Sequence, residues 1–184
     1  MTLRRVFLVT GLPATGKTTL ARALACELAA PLLSKDLIKE PLFDSLGAAD
    51  RAASRRLSDA SFAVLFALAD EYLPLLGTLV LEGNFRPGEH EPVLQALLRR
   101  HAPVACTQVL CRAPEPLRQE RLAARAADPA RHPGHRDGIW VAHSGVGGDG
   151  FLDIPGSHQL HAGDSSDPAH SCALIRSLTN RQLV

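Results

Sequence analysis

The sequence predicts an α/β domain of three layers, helices on both faces of a five-stranded, mainly parallel sheet. A continuously apolar run at residues 6–9 gives way to helical spacing just after a Gly-rich turn. Strand-like runs and amphipathic stretches then alternate along the chain, as they do where helices cross over between parallel strands. The length of 184 residues, with 46% hydrophobic and 21% charged, suits one globular domain over 1–184 and excludes a disordered or collagen-like chain.

Val6, Phe7, Leu8 and Val9 show no polar alternation, the pattern of a strand covered on both faces. Leu20, Leu24 and Leu28, with Ala21 and Ala25, then recur at helical intervals up to Pro31. Leu32-Leu33 makes a short second strand that runs into Ser34-Lys35-Asp36. Residues 37–76 read as mostly helical, with Phe62, Leu65, Phe66, Ala69 and Tyr72 as one buried face, and their length and position suit a lid or an acceptor-binding segment. Residues 78–81 are a third strand, and Val93, Leu94, Leu97 and Leu98 mark the helix after it. A fourth strand at 105–111 carries Cys106 and Cys111 on opposite faces. Residues 114–127 are a helix, and the Pro, Gly and His of 128–136 make a loop, the core of an expected lid over about 127–138. A fifth strand near 158–161 and a last helix after Pro168 complete the chain, while six Gly within 138–156 surround Trp140 and Phe151 with no assigned role.

Composition narrows the function classes. A net charge of +1, from Lys+Arg 20 against Asp+Glu 19, supplies no global field for a polyanion. No apolar run reaches the 18 residues of a membrane span, and Arg4-Arg5 precede an apolar stretch too short for a signal peptide. The 4 Cys, at 26, 106, 111 and 172, lack C-x-x-C spacing, so neither a zinc site nor a disulfide framework is predicted and a reducing cytoplasm is the expected compartment. Lys occurs only at 17, 35 and 39 in an otherwise Arg-based chain.

The chemistry starts at Gly11-Leu12-Pro13-Ala14-Thr15-Gly16-Lys17-Thr18, which fits G-x-x-x-x-G-K-[ST], the phosphate-binding loop. A chance match at this chain's own residue frequencies is on the order of 10⁻³. The motif lies between a predicted strand and a predicted helix, where loop N–H groups and the positive helix end converge on phosphate oxygens. Lys17 is the point charge for the β and γ phosphates and the Thr18 hydroxyl a ligand of Mg²⁺, with Thr19 completing the nucleotide-contacting run. No Asn/Thr-Lys-x-Asp base motif is present, which disfavours guanine.

With these residues the chain resembles the P-loop kinases of the nucleoside monophosphate kinase type. It is especially similar to small-molecule and polynucleotide 5′-hydroxyl kinases and to the chloramphenicol phosphotransferase and zeta-toxin relatives, over residues 3 to about 136. The resemblance implies a P-loop NTPase fold, ATP and Mg²⁺ as cofactors, and an Asp near the end of the second strand that takes the proton of the attacking hydroxyl. Asp36 holds the corresponding place; the local alternative is an N-cap ahead of a helix. Glu82-Gly83-Asn84-Phe85-Arg86 is similar to the acidic-Gly-x-Pro-Arg segment of those kinases, with Glu in place of Asp. This implies Glu82 as a second Mg²⁺-holding residue, acting through water, and Asn84 and Arg86 as acceptor-binding residues, against the alternative of a surface Arg.

Arg118, Arg121 and Arg125 share one helix face, which alone reads as solvated. The resemblance implies that Arg121 packs on adenine, that Arg125 reaches the phosphates as a catalytic cation, and that Arg131 and Arg136 belong to the lid. Asp164-Ser165 falls where related kinases wrap the adenine, and His132 and His135 are a weak metal signal without a third ligand. The expected function is transfer of the γ-phosphate of Mg-ATP to a small-molecule hydroxyl. Two alternatives stay open: a nucleoside or polynucleotide 5′-hydroxyl kinase, which the near-neutral charge does not favour, and an ATP-binding regulatory module with slow hydrolysis.

Overall fold

The computed structural model describes residues 3–135, 150–163 and Leu174. In chain order the elements are β1 (Arg4–Gly11), α1 (Lys17–Glu27), β2 (Leu32–Ser34), α2 (Lys35–Leu46), α3 (Arg51–Leu76), β3 (Thr78–Glu82), α4 (Glu91–Arg100), β4 (Val104–Cys111), α5 (Glu115–Ala127), a 3₁₀ turn at Pro133–His135 and β5 (His158–Ala162). The strands form one five-stranded sheet in the order β2-β3-β1-β4-β5, and each pairing is parallel. A parallel sheet needs cover on both faces, and this explains why β1 and β4 read as nearly unbroken apolar runs.

Successive strand residues supply two separate cores. On one face Val6 and Leu8 of β1, Leu79 and Leu81 of β3 and Cys106 of β4 pack with Phe62, Leu65, Phe66, Ala69 and Leu73 of α3 and with Leu94 and Leu97 of α4. On the other, Phe7, Val9, Val80, Val109 and Cys111 meet Leu20, Ala21 and Leu24 of α1. Leu20 and Leu24 are 0% exposed, each contributing about 1.5–3 kcal/mol of burial. Cys106 and Cys111 thus face opposite cores, and burial pushes the Cys106 thiol up to about 12, which leaves it unreactive.

Two expected core positions are corrected. Tyr72 is 38% exposed and Leu73 takes its place, because Leu73 lies about three full helical turns beyond Phe62. Val93 is exposed on α4, where Leu94 and Leu97 carry the burial. Asp50 caps α3, its Oδ1 accepting from the Ala53 N–H at 2.6 Å, and Gly77 ends it in the left-handed conformation.

The Gly-rich stretch is described from Gly150 onward. Buried Gln108 of β4 clasps it, donating to the Leu152 carbonyl at 3.0 Å and accepting from the Leu152 N–H at 2.8 Å, so Leu152 and Ile154 complete the first core. Of the helix expected after Pro168, Leu174 alone is described; it is helical and packs on the α1 side. Arg136, Trp140, Asp164 and Ser165 lie outside the described residues.

The chain leaves β1 for β2 and β3 on one side, then crosses to β4 on the other. Carboxyl ends on either side of such a switch point bound the crevice where α/β sheets bind ligands. The register sets Glu82 beside Val9 of β1 and Ser34 of β2, and Gly11 beside Cys111 of β4.

The segment leaving β3 is fixed by His90, whose Nδ1 accepts from the Arg86 N–H at 2.8 Å while its ring lies 4.1 Å from that of Phe62. Burial first, then the Arg86 charge, hold His90 below its ordinary 6.5. The unfolded chain therefore binds a proton that the folded ring refuses, and stability falls as pH drops below about 6.5. The urea midpoint is expected to be lower at pH 5 than at pH 7, with a smaller drop in His90→Gln; an equal drop in the variant assigns the effect to other groups.

Candidate active site

The loop after β1 is shaped by backbone conformation. Gly11 has φ 144°, and a Cβ there would stand 2.3 Å from the Cys111 carbonyl oxygen of β4, so the loop leaves the sheet where only glycine fits. Ala14 at φ 67° and Gly16 at φ 84° put left-handed residues into the loop, the alternation that turns successive N–H groups toward an anion. Thr15 Oγ1 closes the turn by donating to the Leu12 carbonyl at 2.9 Å. Gly16 occupies the N-cap of α1 and no side chain caps the helix, so its first N–H groups stay open to a phosphate. Lys17, 8% exposed, is the first residue of α1.

Beside this loop stands Glu82, 1% exposed at the end of β3. Thr18 Oγ1 donates to its Oε1 at 3.1 Å and Ser34 Oγ to its Oε2 at 2.5 Å. The two residues expected to hold Mg²⁺ are therefore in contact. An all-oxygen set of one carboxylate and hydroxyl groups suits a hard divalent cation, so the residues present fit the metal.

Asp36 is the second residue of α2, and the N-cap position belongs to Ser34, which rules out the capping role for Asp36. Its Oδ1 pairs with Lys35 Nζ at 3.0 Å, and its Oδ2 faces His135 Nδ1 at 3.7 Å. Burial alone would raise the carboxyl, but the charges of Lys35, Lys17 and His135, with the hydrogen bond from Lys35, hold it well below the ordinary carboxylate range. The first turn of α2 favours the same charge state. Lys17, Thr18, Glu82 and Asp36 thus form one cluster at the carboxyl edge of the sheet.

The arginines divide. Arg121 Nη1 donates to the Ala14 carbonyl at 3.4 Å, tying α5 to the phosphate loop. Arg118 is buried and forks onto Glu115, its Nε at 2.9 Å and Nη2 at 2.8 Å, while Arg121 and Arg125 are half-buried. The row is not a solvated face. Arg131 is half-buried in the loop after α5, and Asn84 is half-buried after β3. Arg86 Nη2 is held by Glu89 at 2.8 Å and Asp59 at 3.4 Å, so its guanidinium is engaged with α3 and its own loop.

Lys39 escaped the motif reading, and His132 and His135 were read there only as a weak metal signal. Lys39, buried on α2, donates to Ser54 Oγ of α3 at 3.1 Å and to the Gly134 carbonyl at 3.0 Å. His135 Nε2 lies 2.6 Å from Glu40 Oε1 and His132 Nε2 3.0 Å from Asp44 Oδ1, so both histidines dock the loop after α5 onto α2 carboxylates. The available signal was lysine scarcity: all three Lys of the chain are buried here.

The model of the AAA domain family matches residues 6–136. The chain belongs to that family. No curated protein matches it. Among solved structures, a kinase candidate from Chloroflexus aurantiacus J-10-fl is 34% identical, with a TM-score of 0.82 and 98% of each chain covered. A sugar kinase from Janibacter sp. HTCC2649 is 17% identical at TM-score 0.59, covering 97% of this chain and 94% of its own. A shikimate kinase from Bacteroides thetaiotaomicron is 16% identical at TM-score 0.54, with 100% of each covered. This AAA-domain protein has the three-layer fold of a P-loop kinase of the nucleoside monophosphate kinase type, an enzyme fold that binds nucleotide and transfers phosphate. No helix among its described residues is long and apolar enough to cross a membrane.

Gly11→Ala tests the loop geometry. The clash with Cys111 and the φ of 144° are expected to lower stability by about 1–3 kcal/mol and to weaken nucleotide binding. A thermal melt that matches the parent overturns the close-approach argument.

Proposed function

We propose that the protein transfers the γ-phosphoryl group of Mg-ATP to a hydroxyl group of a small molecule held against α2 and α3. The observation that carries this reading is Asp36: a carboxylate kept ionised among Lys17, Lys35 and His135, next to the phosphate loop. Sugar kinase and shikimate kinase, two solved proteins of the same fold, are named for small molecules, which supports that class of acceptor.

The chain's own residues divide the work. Loop N–H groups and the open start of α1 receive the β and γ phosphates, and Lys17 neutralises the oxygens between them. Asp36 orients the acceptor hydroxyl in line with the γ-phosphate and takes its proton as the new oxygen–phosphorus bond forms. Thr18 and Glu82 would hold the Mg²⁺, which when bound supplies charge compensation for the phosphate oxygens. Arg121 stays against the loop through Ala14 and places a guanidinium for the adenine ring, while Arg125 and Arg131 offer positive charge at the phosphates. Residues 37–76 form the acceptor wall, and the segment over about 127–138 serves as the donor-side lid of a single catalytic domain; the compartment that fits is the cytoplasm.

The test is ADP release from Mg-ATP with a panel of sugars, sugar acids, nucleosides, antibiotics and 5′-hydroxyl oligonucleotides. One acceptor is expected to stimulate release. Asp36→Asn should lower that turnover by about 10²-fold or more while ATP affinity stays within about twofold. Unchanged turnover in Asp36→Asn overturns the base assignment, and acceptor-independent release across the panel supports a regulatory nucleotide binder instead.

A further inference from the structure

We infer that Ser34 is a positioning residue of the cation site, whose hydroxyl holds the Glu82 carboxylate in the orientation that presents one oxygen, beside Thr18, to Mg²⁺. The inference rests on the reading of Thr18 and Glu82 as the residues that hold the metal, and it adds a third residue from a different strand. Ser34 is 3% exposed at the end of β2, and the register sets it beside Glu82, 1% exposed at the end of β3. Ser34 Oγ donates to Glu82 Oε2 at 2.5 Å. Thr18 Oγ1 donates to the other oxygen, Oε1, at 3.1 Å. Each carboxylate oxygen thus has a hydroxyl of its own, one from α1 and one from β2.

The helix that follows indicates that this hydroxyl is committed to the site. Ser34 is the N-cap of α2, where a serine side chain ordinarily accepts from the N–H two or three residues on. Here it makes no cap hydrogen bond, and its hydroxyl is turned to Glu82. The backbone beside it is packed tightly as well: a Cβ on Gly83 would meet the Lys35 Cβ and the Phe62 ring, each at 3.2 Å, so the chain leaving Glu82 runs close against the start of α2. With the strand end fixed, the twist of the carboxylate is left to the two hydroxyls. That twist matters to a hard cation. Mg²⁺ keeps several waters and takes one or two carboxylates in a strict octahedral arrangement, whereas Ca²⁺ takes more oxygens, bidentate carboxylates included. With Oε2 tied to Ser34, Glu82 offers Oε1 alone, next to the Thr18 hydroxyl, which suits the smaller ion. Partners that act from behind a ligand in this way orient it and tune the affinity of the metal.

The experiment uses the full chain and measures binding of a fluorescent ADP analogue in EDTA and across titrations of Mg²⁺ and of Ca²⁺, with a thermal melt of every variant. Ser34→Ala is expected to leave the affinity in EDTA within about twofold and to raise the Mg²⁺ concentration at half-saturation by about 10-fold or more. The Ca²⁺ half-saturation should rise less, because the freed Oε2 can join a larger coordination shell, so the preference for Mg²⁺ narrows. Ser34→Thr keeps the hydroxyl on a backbone that is already extended, at φ −106° and ψ 128°, and should restore the Mg²⁺ response. A merely structural serine would instead weaken binding with and without metal alike. If Ser34→Ala does not fold, Ser34→Cys, of similar volume and with only a weak donor, carries the same expectation.

A folded Ser34→Ala protein with the parent's Mg²⁺ half-saturation overturns the inference, as does one that loses affinity equally in EDTA and in Mg²⁺, or equally for the two cations. Glu82→Gln separates the two readings. Loss of the Mg²⁺ response there with an unaltered Ser34→Ala titration overturns the role of Ser34 alone, whereas a parental Mg²⁺ response in Glu82→Gln removes the reading of Glu82 as a metal-holding residue and this inference with it.

Discussion

The carboxylate of Glu82 is the interaction on which the site's dimensions depend. Ionised groups leave water at a cost of several kcal/mol unless hydrogen bonds replace hydration, and here two hydroxyls do so. Those hydroxyls come from different elements, Thr18 at the start of α1 and Ser34 at the end of β2. Since α2 begins at Lys35, pinning Ser34 also fixes where Asp36 projects. One buried acid therefore sets the spacing between the phosphate loop and Asp36. The parallel register that pairs Ser34 and Glu82 with adjacent strand ends makes this possible.

How much of this was legible in the sequence follows from how local each feature is. The phosphate loop is contiguous, and its glycines answer to steric demands within a few residues, so its placement between β1 and α1 could be read directly. The sheet followed from apolar runs, and the structure makes it wholly parallel among the described strands. The helix phase of α3 was legible only in part: Phe62, Leu65, Phe66 and Ala69 fit the period, and Tyr72 against Leu73 was decided by packing. Glu82 and Asp36 could be found through resemblance, yet their contacts depend on strand register. Pairings across long stretches of chain could not be read at all. His135 meets Glu40 over a separation of 95 residues, and Arg86 meets Asp59 over 27, so neither leaves a local pattern.

The electrostatics show a division of labour between cations. Every Lys in the chain is buried on α1 or α2, whereas among the described Arg side chains Arg118 of α5 alone is buried. An ammonium is compact and acts as a point charge, which suits a crowded interior beside a carboxylate; a guanidinium forks and stacks, which suits flat rings and phosphate edges. The Asp36 charge state is thus the outcome of opposing effects in one small volume, burial on one side and Lys35, Lys17 and His135 on the other.

Lys39 gives this arrangement a mechanical meaning. Its ammonium joins α2 to Ser54 of α3 and to the backbone of Gly134, and a side chain on Gly134 would crowd His132 at 3.0 Å and Phe43 at 3.2 Å. Helices α2 and α3 and the turn following α5 are therefore fastened together. Any outward swing of the turn either drags the helices along or strips a buried cation of its hydrogen bond to the Gly134 carbonyl. A single buried ammonium thus decides which parts of the fold shift as a unit.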